Sequence, residues 1–419
     1  MTNKLKKFWK SIGPGLITGA SDDEPSAIAT YSIAGAKFGY SMLWVALFSL
    51  PLMISVQEMS ARIGRISNKG LAGNMKKHYP RWIMMPIAFL IVGANTINIG
   101  ADMSGMAQAV AMIAPLPERI TATIITLLIL GAILIFPYQK IFTVFKWLAL
   151  TLFAYVFASF TVHQDWPKVF YHLFVPTIIF SREYLFILMA FMGTTLSPYL
   201  FFWQASQEVE EKIIEQCKPG QTCRLKPATE EEIKDIDADT RIGMTFSNLI
   251  TFFIITLTAS TLFNSGITHI ETLRDAAEAL KPFAGGYAYI LFAVGILSSG
   301  FLAIPVLAGS AAYVIAEVFG WTGGFNKSFT KAKEFYIVII ASTIVGLSIP
   351  LLGLHPVKAL FYTSLLYAVI SPILIAMVIH MANNPKIMGP YINSGRLNWF
   401  GYVTFCIMAI CSIMVFFLF

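Results

Sequence analysis

The chain has 419 residues, of which 56% are hydrophobic and only 13% charged. Soluble domains carry about 25% charged residues, so half that share, with 34 Phe and 18 Met, excludes a water-facing surface and points to a bilayer as solvent. The net charge of +7 does not indicate a nucleic-acid partner, because the basic residues lie in short segments between apolar runs.

The opening segment MTNKLKKFWK resembles the charged region of a signal peptide. The apolar run that follows, Ile12 to Ala20, meets Asp22-Asp23-Glu24 with no small-residue cleavage site, and that reading is rejected. Apolar runs predict membrane helices at 12–37 (interrupted), 38–61, 84–113, 120–136, 142–162, 184–207, 241–264, 286–319, 336–352, 357–382 and 398–418, eleven in all. The 286–319 run is longer than one span and is expected to tilt or to extend beyond the hydrocarbon. All belong to a single transmembrane domain, read as one repeat over 12–162, a second over 184–382, and an extra helix at 398–418.

Alternating the connecting segments between two sides puts 23 of the 30 Lys and Arg on one side and 7 on the other. The basic-rich side is then cytoplasmic, with the N-terminus on it and the C-terminus external. The one sizeable hydrophilic insert, 208–240, falls on that side and reads as a solvated loop. It contains Glu230-Glu231-Glu232 and the pair Cys217 and Cys223. Cytoplasmic thiols are expected to be reduced, and no further His or Cys ligand stands near them to hold a metal. Four cysteines are too few for a disulfide scaffold.

Two runs are broken at equivalent places. The first is split by Ser21-Asp22-Asp23-Glu24-Pro25-Ser26, and the sixth by Gly193-Thr194-Thr195-Leu196-Ser197-Pro198. Each half is too short to cross about 30 Å of hydrocarbon. Each proline removes a backbone hydrogen bond and frees carbonyls, which ions or water in a protein-lined cavity can satisfy. Interruptions in segments one and six of two five-helix halves are the signature of an inverted repeat with its site at the midplane. Three carboxylates at that depth are costly unless they bind something positive.

Gly13-Pro14-Gly15-Leu16-Ile17 before the first break, Gly39-Tyr40-Ser41-Met42-Leu43-Trp44 after it, and Gln57-Glu58-Met59-Ser60-Ala61-Arg62 with Gly70-Leu71-Ala72 carry a family likeness. So does Lys386-Ile387-Met388-Gly389-Pro390-Tyr391-Ile392-Asn393 near the end. Together they resemble the Nramp (natural resistance-associated macrophage protein) divalent-metal transporters over nearly the whole chain. The resemblance implies an all-α, LeuT-type 5+5 inverted repeat and alternating access to a metal site. It also marks departures. The family's Asp-Pro-Gly-Asn becomes Glu24-Pro25-Ser26-Ala27, so the metal-binding Asp is replaced by Glu24 and the ligand Asn by Ala27. The Ala-x-x-Met-Pro-His of the sixth helix becomes Thr194-Thr195-Leu196-Ser197-Pro198-Tyr199, exchanging a thioether for the hydroxyl of Ser197 and the proton-linked His for Tyr199. The family's tenth-helix Gln aligns with Leu365. In lacking the methionine the chain is similar to the Nramp-related magnesium transporters.

The expected metal ligands are therefore Glu24 first, then Asp23, with the oxygens of Ser21, Thr194 and Ser197. An all-oxygen set suits Mg²⁺ and Mn²⁺, with Fe²⁺ next, rather than soft ions. Asp22, Asp102 and Tyr199 are candidates for an ion or proton pathway. Asp22 stands either as a cap of the second half-helix or at a vestibule. Asp102, beside Asn95 and Asn98, is either a relay or a residue bonded to a neighbouring helix. The hydroxyl positions also have a purely structural reading, as helix contacts that bond back to their own carbonyls. Glu58 and Glu317 read as structural or vestibule residues.

The expected function is a secondary transporter in a bacterial plasma membrane, with weak or absent proton coupling and the divalent cation as cargo. No cofactor, nucleic-acid partner or enzymatic activity is expected: neither His-Glu-x-x-His nor Gly-x-Ser-x-Gly occurs. A transporter of small organic cations and a non-transporting sensor remain as alternatives, and the oligomeric state is not legible.

Overall fold

The computed structural model describes residues 14–136, 138–217 and 224–418. The basic N-terminal segment and most of the Cys217–Cys223 stretch lie outside the described residues. The described chain is helical, without strands. Its main helices are α1 (Pro14–Asp22), α2 (Pro25–Phe38), α3 (Leu43–Ser67), α4 (Leu71–His78), α5 (Arg81–Ala111), α6 (Glu118–Ile135), α7 (Tyr138–Thr151) and α8 (Phe153–Thr161). They continue with α9 (Trp166–Phe174), α10 (Arg182–Thr195), α11 (Pro198–Gln216), α12 (Glu230–Thr258), α13 (Ala288–Phe319), α14 (Lys333–Leu351), α15 (Pro356–Ala382) and α16 (Gly395–Leu418).

Among the described residues, ten helical stretches are long and apolar enough to cross a bilayer. The first, Pro25–Ser67, turns at the short helical segment Gly39–Met42, where Gly39 takes a φ of +57° that a side chain would disfavour. With α1 and α2 taken as two halves of one interrupted crossing, eleven crossings result, as the apolar runs predict. The 286–319 run forms the 32-residue α13, about 48 Å long at 1.5 Å per residue.

Burial sorts these helices into a centre and a rim. In the apolar window of α10–α11 83% of residues are buried, against 39% for α6 and 28% for α16. The broken pairs α1/α2 and α10/α11 thus occupy the middle, packed against α3, α12, α13 and α15. Outer helices expose Leu127, Ile135, Phe157 and Phe416, an apolar surface that hydrocarbon rather than water would wet.

The half-helix α1 lies tightly against α12. A Cβ added at Gly15 or Gly19 would meet the α12 backbone at Asp239–Thr240 or Gly243, respectively, so small residues allow the two backbones to touch. Asp239 Oδ2 accepts the Gly15 N–H at 2.7 Å and satisfies one of the amides that the first turn of α1 leaves without a helical partner.

The 208–240 segment departs from expectation. Instead of one solvated loop, α11 runs on to Gln216 and α12 begins at Glu230. Thr229 and Glu232 form a reciprocal capping box, and Glu230-Glu231-Glu232 fill the first turn. There carboxylates stabilise a helix N-terminus, so the acidic run starts a helix. Glu208, Glu210, Lys212 and Thr240 are buried, and Cys217 is disulfide-bonded where a reduced thiol was expected.

These helical extensions carry charged side chains across the basic-rich end. Arg62 Nε donates to Asp237 Oδ1 at 2.7 Å, and a second bond joins Arg62 Nη2 to Asp237 Oδ2. Arg65 Nη2 donates to Glu215 at 2.5 Å, Arg241 Nε donates to Glu58 at 2.5 Å, and Lys212 Nζ donates to the Arg65 carbonyl at 2.8 Å. The ties join α3 to α11 and α12 beneath α1. At the opposite end Lys37 of α2 pairs with Glu183 of α10 at 2.9 Å. Beside that pair lies a cavity of about 480 Å³ whose lining includes Lys37, Arg182, Glu183, Phe186 and Lys358.

Candidate cation site

Both interruptions are made by proline acting on the residue before it. Pro25 and Pro198 open the second half-helices, and the preceding residues, Glu24 (φ −68°, ψ 167°) and Ser197 (φ −69°, ψ 115°), are extended. A proline ring disfavours helical backbone at the residue before it, so α1 ends at Asp22 and α10 at Thr195. Several carbonyls at the breaks are taken by side chains. Tyr199 donates its hydroxyl to the Ser21 carbonyl at 2.7 Å and so ties one broken helix to the other. Ser197 Oγ donates to the Thr194 carbonyl at 2.5 Å, and Ser371 Oγ of α15 donates to the Leu196 carbonyl at 3.0 Å.

Four acids converge on this level, and Asp22, Asp23, Glu24 and Asp102 are each 0% exposed. They are not arranged as a single cage: among the described residues no three His, Cys, Asp or Glu are placed to hold one metal ion. Asp22 and Asp23 turn towards α12, where Ser247 Oγ lies 2.9 Å from Asp22 Oδ2 and 3.4 Å from Asp23 Oδ1. Glu24 turns towards α5. Its Oε1 accepts from Ser26 Oγ at 2.6 Å, and Asn98 and Tyr199 face it. Asp102 interacts with Glu24 and with the backbone of Ser26, at the N-terminal end of α2. Asp22 lies within electrostatic reach of Glu24 as well. Among the described residues, no Lys, Arg or His is one of the groups acting on any of the four.

Several oxygens here are buried without a hydrogen-bond partner among the described residues: Glu24 Oε2, Asp22 Oδ1, Asp23 Oδ2, Thr194 Oγ1 and both carboxylate oxygens of Asp102. The Asn98 amide is likewise unpartnered. Buried polar atoms are ordinarily paired, and such a concentration of bare oxygens is what a cation would satisfy.

The expected ligands are thus brought to one level but not to one point. Glu24 and Thr194 present unpartnered oxygens. Asp23 faces Ser247 on the other side of the chain from the Glu24–Asn98 contact. Ser21 Oγ donates back to the Ile17 carbonyl at 2.7 Å, the structural role open to any hydroxyl in such a helix. Ser197 donates its proton to Thr194 but keeps its oxygen lone pairs. Asp22 does not cap α2, whose N-cap is Glu24 with no side-chain cap bond. Ala27 and Leu365 are buried apolar groups. Glu317 accepts the Gly70 and Gly73 N–H groups at 3.0 and 2.7 Å, caps α4 from outside, and stands apart from the breaks. Ser247 and Tyr155 went unnoticed in the sequence, since a single hydroxyl in an apolar run has no distinguishing neighbours, and Ser26, although part of the first break, was given no role.

Comparison with known proteins agrees with this architecture. Residues 15–418 match the family described as "Natural resistance-associated macrophage protein-like". The divalent metal cation transporter MntH of Caldanaerobacter subterraneus subsp. tengcongensis is 25% identical over 391 residues, 92% of this chain and 87% of that protein. MntH of Ralstonia nicotianae is 23% identical over 424 residues, 97% and 90% of the two chains. Among solved structures, the Eremococcus coleocola manganese transporter superposes with a TM-score of 0.74 at 17% identity, over 97% of this chain and 87% of that one. Mhp1, a nucleobase-cation-symport-1 family transporter in a closed conformation, gives 0.58 at 13% identity, over 96% and 91%. Helices broken at segments one and six, an otherwise all-helical bundle and a family match along the chain from Gly15 to Leu418 together assign this protein to the Nramp family, with the LeuT-type fold.

Proposed function

We propose that this protein is a secondary transporter of divalent metal cations, and that Glu24 is the carboxylate on which transport depends. The observation that carries this reading is the unpartnered Glu24 Oε2, fully buried at the first break with no basic side chain acting on it. An ionisable group at that depth is costly unless it is functional, and Glu24 stands where the family carries its metal-binding Asp. The relatives' description as divalent metal cation transporters supports the same cargo class.

The side chains that act on Glu24, those of Ser26, Asn98, Tyr199 and Asp102, all carry oxygen, and the facing break offers the hydroxyls of Thr194 and Ser197 in place of a thioether. Oxygen donors favour Mg²⁺ and Mn²⁺ over soft ions, and Mg²⁺ in particular retains water. The site is therefore assigned to hard divalents, Mg²⁺ and Mn²⁺, with Fe²⁺ next. Proton coupling is weak, because Tyr199 replaces a histidine and its hydroxyl is engaged with the Ser21 carbonyl. A tyrosine with an ordinary pKa near 10 stays neutral at pH 7, whereas histidine changes charge there. The N-terminus and the α11–α12 connection are cytoplasmic and the C-terminus external, from the 23-to-7 distribution of basic residues.

The test is uptake of Mg²⁺, Mn²⁺ and Cd²⁺ into proteoliposomes with lumenal pH recorded. Wild type takes up Mg²⁺ and Mn²⁺, and Glu24→Gln takes up neither while eluting as a folded protein. Strong Cd²⁺ uptake without Mg²⁺, or normal transport by Glu24→Gln, overturns the assignment. Amine uptake in place of metal would support an organic-cation carrier instead. Robust metal-driven acidification that Tyr199→Phe abolishes would overturn the weak-coupling reading.

A further inference from the structure

The second pair of acids, Asp22 and Asp23, is not accounted for by a metal at Glu24. They are successive residues, both fully buried. The hydroxyl within reach of both, Ser247 Oγ, carries a single proton and can donate to only one of them. Asp22 Oδ1 and Asp23 Oδ2 have no partner among the described residues. A separate observation comes from α8: the hydroxyl of Tyr155, a side chain 3% exposed, is also without a partner and interacts with Asp23. Its ring is held edge-on against Phe292 of α13. Tyr31 of α2 interacts with both carboxylates from another side, its hydroxyl 3.1 Å from Thr195 Oγ1. No Lys, Arg or His is among the groups acting on either Asp.

Two adjacent carboxylates cannot share a low-dielectric pocket as bare anions. A cation between them would meet both charges and accept the oxygens of Ser247 and Tyr155, a hard-donor set. We propose that Asp22, Asp23, Ser247 and Tyr155 form a second cation position, beside Glu24 and separate from it, that takes a hard oxygen-seeking metal ion. Asp22, within reach of Glu24, is the electrostatic link between the two positions. The inference rests on this pocket alone and stands whether or not Glu24 carries the cargo.

Equilibrium dialysis of the purified full chain, with Mn²⁺, Ca²⁺ and Na⁺ in separate arms, tests it. The expected result is two bound equivalents per chain, counting both positions, with the arms identifying which ion fills the second. Glu24→Gln keeps one equivalent, and Asp23→Asn with Tyr155→Phe loses one and keeps the other. Ser247→Ala, a milder change, weakens the second equivalent only. A wild type that binds nothing, or a single equivalent that Glu24→Gln loses or Asp23→Asn/Tyr155→Phe keeps, overturns the proposal. So does loss of both equivalents in a folded Asp23→Asn/Tyr155→Phe protein, which would make the acids one shared site. Infrared spectra of wild type add a check that needs no variant. A protonated-carboxyl band that persists at saturating cation and disappears in Asp22→Asn/Asp23→Asn would mean that protons neutralise the pair, and would also overturn the proposal.

Discussion

Replacing Gly19 by alanine should loosen the packing of α1 against α12. The added methyl would sit 2.9 Å from Gly243 Cα of α12 and nearer still to the Gly243 carbonyl, whereas carbon atoms pack at about 3.5–4.0 Å. The obstacle is backbone, which has no rotamer to change, so α1 must move outward by about 1 Å or more to restore contact. That shift lengthens the Gly15–Asp239 bond. Overpacking costs about 1–3 kcal/mol, and about 1.4 kcal/mol is a tenfold change in an equilibrium constant. The population with α1 displaced should therefore rise by about fivefold to a hundredfold. Thr240→Cys, buried on α12 next to this contact, in a background lacking the native cysteines, reports it as the rate of modification by a thiol reagent in inside-out vesicles. Gly131→Ala is the control, because an added methyl there meets nothing within 4 Å and alanine gains about 0.5–1 kcal/mol in a helix. Unchanged reactivity and melting temperature in Gly19→Ala, or equal damage from Gly131→Ala, would refute the close backbone contact as what holds α1 against α12.

Arg62→Ala leaves Asp237, with a side chain 10% exposed, without its two-bond partner; about 1.5–3 kcal/mol is lost, measured as a lower melting temperature and faster Thr240→Cys labelling. Tyr199→Phe leaves the Ser21 carbonyl without its donor at a cost of about 1–3 kcal/mol; it should melt earlier and transport more slowly, with metal affinity retained in dialysis. Ser197→Met supplies a thioether at the second break and should raise Cd²⁺ over Mg²⁺ in competitive uptake. For topology, Lys226→Cys and Lys358→Cys, both exposed, should label in intact cells only with a permeant reagent and with an impermeant one, respectively.

The parts of this structure legible in the sequence are those with a strong local cause. Proline after Glu24 and after Ser197 prevents helix at the preceding residue, and both breaks are visible in the chain. Apolar run length set most helices within a few residues. The extensions of α11 and α12 at the basic-rich end were misread because their polarity resembles a loop. Asp237 and Lys212 are buried and bonded to Arg62 and to the Arg65 carbonyl, from which they are separated by well over a hundred residues. The capping box of Thr229 and Glu232 was the local signal that could have corrected the reading. Divergence of Asp23 from Glu24 had no such signal. It follows from the extended backbone at Glu24, which points successive side chains to opposite sides, one towards Ser247 and one towards Asn98.

The charged ties at the two ends are unequal, and ionic strength should therefore act on them unequally. Among the described residues, Arg62, Arg65 and Arg241 link separate helices at the basic-rich end, while Lys37 with Glu183 does so at the other. Part-exposed pairs are screened over a Debye length of about 8 Å at physiological salt and about 3 Å at 1 M. Salt added to the basic-rich face thus weakens more cross-links than salt added to the opposite face. A vesicle with different ionic strengths inside and outside would then bias which end opens, independently of any metal gradient.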